Sequence, residues 1–320
     1  MTGAGPPTVV VAGRPALAAT LALVAAFLWS TYFFFVLGIP GAPPSGLLAD
    51  PFLVGGAAFV GLALARRQGG ALRELFADPG GYLRAGLLVA MQVGVLAATY
   101  LTGAIDTSLL SLLGDVVATP VMLWIVYREG GGQFRRPTFV GGLAITTIGA
   151  TLVIGGGAAV TPLAGWAWVV APSVPVIVAL YFLYTARTSQ SRPMAAVVGQ
   201  ATLAAGLASI GLSPLLPGGL AGLVPPTPFA ALSVVGLGIT SFFVAPYLYF
   251  RAIEEGGLIL AAVLMTGIPV FTLGLSLGLL GAAPPVIGLL GVPIAVVGTI
   301  IALRGPHEPW RTTFVMPPPG

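Results

Sequence analysis

The chain has 320 residues, of which 57% are hydrophobic and 7% charged, with a formal net charge of +4 and a mean hydropathy of +1.02. A soluble globule carries about 25% charged residues, so the composition excludes a water-soluble fold and indicates an integral membrane protein. Cysteine, lysine and asparagine are all absent, which removes disulfides, thiolate metal sites, a cysteine nucleophile, a Walker lysine, Schiff-base chemistry and N-glycosylation.

A helix that crosses the hydrocarbon needs about 20 largely apolar residues. Ten segments meet that length, at 16–38, 47–65, 83–104, 107–127, 137–157, 163–186, 194–216, 228–250, 257–279 and 284–303. The first follows Arg14, is too long for a signal-peptide core and has no small-residue cleavage site before Pro40, so it counts as a retained span. The third and fourth are separated only by Ala104-Ile-Asp106 and its neighbours and must form a tight helical hairpin. Arginine placement tests the count, because positive residues concentrate in cytoplasmic loops. Arg14, the group Arg66, Arg67, Arg73 and Arg84, the group Arg128, Arg135 and Arg136, then Arg187, Arg192, Arg251, Arg304 and Arg311 all fall on one side. The opposite loops hold no arginine. Both termini are therefore expected in the cytoplasm, with tails at 1–15 and 305–320, in a multi-pass protein of the cytoplasmic membrane. Arginines at segment ends point to anionic lipid head groups as the partner of the positive charge, not nucleic acid.

A shift of 149 residues pairs Tyr100 with Tyr249, Asp106 with Glu255, Pro120-Val121 with Pro269-Val270, and Gly142 and Gly149 with Gly291 and Gly298. The shift covers five spans, an odd number, so the second half (158–304) would sit upside down relative to the first (16–157). Inverted repeats of this kind place substrate sites near the midplane between halves that rock to expose them alternately.

Two five-helix halves, Leu28-Trp-Ser-Thr-Tyr32 in the first span, Tyr247-Leu-Tyr-Phe-Arg-Ala252 at the end of the eighth and Ile268-Pro-Val-Phe-Thr272 in the ninth resemble the drug/metabolite transporter superfamily, in particular its EamA-type exporters. The resemblance covers residues 16 to 304. It implies ten transmembrane helices in two inverted repeats and export of small molecules. Family members usually carry a proline early in span four and a Gly-Glu pair at its end. Here Asp115-Val116 stands near the expected proline, Pro120 comes later, Arg128-Glu129 replaces Gly-Glu, and Gly281-Ala282 stands in the second half.

Within the spans, Trp29 and Tyr32 share a face of the first and are suited either to stacking on an apolar or aromatic solute or to packing against lipid. Gln92 in the third is a deep hydrogen-bonding group, able to bind a ligand or a neighbouring helix, and Tyr100 stands near that span's end. Asp115 is the one deep acidic residue, about 12 Å from the outer end of its helix at a rise of about 1.5 Å per residue. A charge there is disfavoured by about 2.5–3.5 kcal/mol on insertion scales, which marks it as a functional candidate. Ser108, Ser111, Asp115 and Thr119 are spaced to form one polar stripe. Pro120 lacks the N–H that would bond the carbonyl of Val116, leaving an acceptor beside the carboxylate. Carboxylate and carbonyl together suit a proton, an amine or another cation. The structural alternative is a protonated Asp115 bonded to Gln92 or a tyrosine across a helix interface. Tyr181 and Tyr184 read as interface anchors. Pro269 repeats the kink in span nine, with Thr266 near it, so Pro120 and Pro269 are candidate gating kinks.

No arginine lies mid-membrane, so a phosphorylated anion finds no buried cation. The lone histidine, His307, lies in the tail, which supports neither a zinc site nor any other metal or cofactor. One deep aspartate does not make an intramembrane aspartyl protease, and no enzyme is indicated. The expectation is a secondary transporter that exports small neutral, zwitterionic or cationic metabolites, with protons as a candidate coupling ion at Asp115. A lipid flippase or a non-transporting scaffold are the rival classes.

Overall fold

In hydrocarbon every main-chain N–H and C=O has to be satisfied inside the protein, which leaves the helix as the natural form of an apolar run. The computed structural model describes residues 14–38, 43–128, 131–156, 167–189, 191–279 and 286–304, and among these residues it is all-helical. In chain order the helices are α1 (Pro15–Gly38), α2 (Pro44–Ala65), α3 (Gly69–Ala77), α4 (Pro79–Thr102), α5 (Ala104–Leu112), α6 (Thr119–Tyr127), α7 (Gly131–Phe134), α8 (Pro137–Gly156), α9 (Ala167–Ser189), α10 (Met194–Leu212), α11 (Pro228–Ile239), α12 (Ala245–Gly256), α13 (Leu258–Leu264), α14 (Gly267–Leu279) and α15 (Val286–Leu303). Seven helical stretches among the described residues are long and apolar enough to cross a membrane, and Pro137–Leu152 and Leu289–Ala302 form shorter apolar helices. Both tails, the loops at 39–42, 157–166 and 280–285, and Glu129, Gly281, Ala282, His307 and Arg311 lie outside the described residues.

Local chemistry sets the helix ends. Asp78 accepts from Gly80 N at 3.0 Å ahead of Pro79, and Thr227 accepts from Ala230 N at 3.1 Å ahead of Pro228. Proline in the first turn lacks an N–H that would be unsatisfied there anyway. The hairpin expected between the third and fourth segments turns at Gly103, whose φ of +89° only glycine adopts without strain. Gly257, at φ +87°, makes the same corner between α12 and α13. The amphipathic helix α3 occupies the stretch read from the sequence as an arginine-bearing loop, burying Leu72 and Leu75.

Two of the membrane-length helices are wound wide at their centres. Between α5 and α6, residues Leu113–Ala118 form a π-turn in which Thr119 N–H reaches back five residues to Gly114 O. Between α11 and α12, residues Thr240–Val244 do the same, with Ala245 N–H on Thr240 O. In both cases the next residue is proline, Pro120 or Pro246. The irregularity expected at Pro120 takes the form of this π-turn. In a five-residue ladder, the donor that Pro120 lacks is the one owed to Asp115, so the carbonyl of Asp115 is left without a main-chain donor as well.

Helices α8 and α15 pack backbone to backbone. A Cβ placed on Gly149 would press into the Ala295 nitrogen and lie 2.7 Å from Gly291 O, while one on Gly298 would press into the Thr146 nitrogen and lie 2.7 Å from Gly142 O. The contact is reciprocal, and its partners are the residues that a shift of 149 equates. The corners at Gly103 and Gly257 are instead 154 residues apart. A constant shift therefore does not run along the whole chain, and the pairing of Tyr100 with Tyr249 does not carry to their surroundings: Tyr100 is exposed and Tyr249 fully buried. Counted from the two corner glycines, Asp115 and Pro269 stand at the same position, twelve residues on.

Close approach of small residues is what holds membrane helices together, and overpacking such a contact costs about 1–3 kcal/mol or more. Gly149→Leu should lower the melting temperature of the detergent-purified protein by several degrees. Gly141→Ala, on a face where a Cβ meets nothing within 4 Å, should leave it unchanged.

Candidate functional site

A cavity of about 100 Å³ lies where α1, α4, α5, α9, α10 and the two π-turned helices converge. Five of the residues singled out from the sequence line it: Trp29, Tyr32, Gln92, Ser111 and Asp115. The lining also includes Tyr181, Phe182, Ser241, Phe242 and Pro246. Aromatic rings thus surround a single carboxyl group, with no arginine in the wall.

Asp115 is 3% exposed, and its Oδ1 is buried with no hydrogen-bond partner. The expected alternative, a bond from Gln92 to Asp115, does not form. Gln92 Nε2 instead donates to the hydroxyl of Tyr32, joining α4 to α1. Ser111 keeps its lone pairs for the cavity because its O–H donates to Thr107 O at 3.1 Å. The hydroxyl of Tyr249 is likewise buried without a partner.

The polar stripe does not hold together. The π-turn adds a residue to the winding, and one residue of helix is about 100° of rotation. Thr119, beyond the turn, is carried off the cavity face, and its hydroxyl closes on Gly114 O at 2.9 Å. Ser108, a turn before Ser111, is buried outside the cavity wall. Thr266 is outside as well, bonded to Val263 O at 2.5 Å and to Thr299 Oγ1 at 2.8 Å. Tyr100 is 48% exposed. Pro120 and Pro269 touch the site only through the helices they bend.

Trp29 contributes twice. Its ring packs against Phe182 and Tyr249 with centroids 5.8 and 5.3 Å away, and Phe182 and Tyr249 are themselves 4.8 Å apart. The three rings pack as one cluster, of which Trp29 and Phe182 line the cavity. The indole N–H donates to Ser241 O at 2.9 Å, filling the acceptor that Pro246 leaves open. Toward the arginine-bearing ends, Arg84 is buried among α4, α9 and α10. It donates to Thr188 Oγ1 at 3.1 Å and Gln200 Oε1 at 3.4 Å, and its guanidinium lies 5.8 Å over the Tyr184 ring. Nearby, Arg192 pairs with Asp78 at 3.2 Å. Arg84 is a buried cation that sequence reasoning did not single out, but it is spent on this network and does not line the cavity.

Sequence reasoning placed Tyr181 at the interface, whereas it is buried in the cavity wall, and it missed Ser241 altogether. The signal for Ser241 was present: Asp115 and Ser241 each stand five residues before a proline within an apolar span. Among the described residues, no cluster of three or more histidine, cysteine or acidic residues could hold a metal.

Residues 165–304 match the family model of the EamA-like transporter family, which belongs to the drug/metabolite transporter superfamily. The match covers the second half of the stretch over which the sequence resemblance was drawn, and the matched family is one of transporters. Among curated proteins none matches the chain. Fourteen chains of solved structures do match. One crystal structure aligns with a TM-score of 0.69 at 22% identity, covering 90% of this chain and 96% of its own, which shows a common fold.

Single cysteines can be introduced without background. Ser111→Cys and Ser241→Cys should react with a water-soluble thiol reagent, and Thr119→Cys should be protected. Equal protection of all three would show that the cavity does not admit water.

Proposed function

We propose that this EamA-like protein is a ten-span secondary active transporter, two inverted five-helix halves with both termini in the cytoplasm, that exports a small amphipathic solute across the cytoplasmic membrane. The reciprocal contact of α8 with α15 supports the inverted arrangement, and the one-sided arginines support the orientation. The observation that carries the functional reading is Asp115: a buried, unpartnered carboxyl oxygen in the wall of an aromatic cavity.

The wall favours some solutes over others. Six aromatic rings, those of Trp29, Tyr32, Phe33, Tyr181, Phe182 and Phe242, provide apolar surface and negative ring faces that attract a cation. The only ionisable acid in the wall adds to that attraction, and an anionic solute would meet it with repulsion and no compensating cation. A neutral, zwitterionic or cationic metabolite of amphipathic shape is the fitting substrate. Asp115 binds its amine or exchanges it for a proton, which couples export to the proton gradient.

The helices that carry the site are the ones built to bend. Both π-turns flank the cavity, and a helix whose ladder is already interrupted rocks at lower cost than a continuous one. In this reading the ring cluster of Trp29, Phe182 and Tyr249 and the Arg84 network serve as the closure toward the arginine-bearing side.

Flux into proteoliposomes from a mixed metabolite panel, with and without a pH gradient, tests this reading. The unaltered protein should accumulate at least one amine-bearing solute when a gradient is imposed, and Asp115→Asn should lose that gradient-driven accumulation. Equal flux in Asp115→Asn would remove Asp115 from the mechanism.

A further inference from the structure

We infer that the site has a second acceptor, the main-chain carbonyl of Asp115, held open by Pro120, and that it selects an ammonium bearing N–H over a quaternary one. The inference rests on the reading of the cavity as a substrate site and sharpens the class of solute it takes.

Two donors in its own helix could reach that carbonyl, and neither does. The N–H of Thr119 is directed to Gly114 O, and residue 120, a proline, has no N–H. The equivalent device in the other π-turned helix shows how such an acceptor is used. There, Ala245 N–H goes to Thr240 O and Pro246 has no N–H, which leaves the carbonyl of Ser241 open. An N–H from another helix fills it, the indole of Trp29 at 2.9 Å. Asp115 occupies the same place relative to its π-turn and proline as Ser241 does, and its side chain lines the same cavity.

A bare carbonyl and a bare carboxyl oxygen on one buried residue are unfavourable until donors arrive. A primary ammonium supplies three N–H donors on a single charged atom. One goes to the carboxylate, one to the carbonyl, and the third can use the lone pairs of Ser111 Oγ, whose proton is committed to Thr107 O. A trimethylammonium of the same skeleton keeps the charge and the attraction to the aromatic faces but has nothing to donate. The carboxylate therefore recognises charge, and the carbonyl recognises N–H.

Restoring an N–H at residue 120 separates the two. The test uses the purified full-length protein, with phenethylammonium and N,N,N-trimethylphenethylammonium as probes in isothermal titration. The unaltered protein should bind phenethylammonium more tightly. Pro120→Ala should weaken phenethylammonium by about tenfold or more, the loss of one charge-assisted hydrogen bond, and leave the trimethyl probe unchanged. Asp115→Asn should weaken both. Pro120→Gly supplies the same N–H through a different side chain and should repeat the Pro120→Ala result. If both proline variants weaken the two probes equally, or weaken neither, the carbonyl has no such role, while the cavity reading stands. If the unaltered protein binds neither probe, the cavity is not an ammonium site and the inference falls with it.

Discussion

A chain surrounded by hydrocarbon has to satisfy its own main-chain polar groups, and the architecture of this protein depends on where it declines to. At Pro120 and Pro246 the ladder cannot be completed. The helices respond by winding wide for one turn, which leaves the carbonyl of Asp115 in one and of Ser241 in the other without the N–H that the proline lacks. One carbonyl is taken by Trp29, and that bond staples α1 to the π-turned helix across the cavity. The other belongs to the one residue of the wall that also carries an acid.

That asymmetry makes a site out of a packing problem. Around it the protein is built for close approach: the reciprocal glycine contact of α8 and α15, and the hydroxyl chain from Thr266 through Thr299 to Thr146, with contacts of 2.8 and 3.4 Å. These elements use up their polar groups among themselves. Gln92 and Tyr32 do likewise. What remains unpaired in the cavity wall is concentrated at Asp115, and the aromatic rings around it exclude competing polar groups. Function follows from where the structure leaves hydrogen bonds unmade, as much as from those it makes.

Much of this was legible in the residue order. Twenty-residue apolar runs and the arginines at their ends located the helices, because length and charge are the quantities a bilayer constrains. Asp115, Ser111, Gln92, Trp29 and Tyr32 stood out as polar or aromatic groups deep in apolar spans, and all five line the cavity. Two of the misreadings come from assuming uniform winding and uniform spacing. A regular helix keeps Thr119 beneath Asp115, but the π-turn rotates it away. A constant repeat matches Tyr100 with Tyr249, but the corners at Gly103 and Gly257 are 154 residues apart, so the spacing there differs from 149 by five residues. Tyr181 was read as a membrane-interface anchor because the end of its span was set early. Helix α9 runs on to Ser189, which puts Tyr181 well inside.

The central claim is that an amine-bearing solute sits against Asp115, between the two π-turned helices. An experimental structure of the full chain with phenethylammonium bound tests it most directly. The account predicts the ammonium nitrogen within about 3 Å of both the carboxylate and the main-chain carbonyl of Asp115, with the phenyl ring among Trp29, Phe182 and Phe242. An ammonium bound elsewhere, or at Asp115 with the carbonyl already occupied by a protein donor, would contradict it.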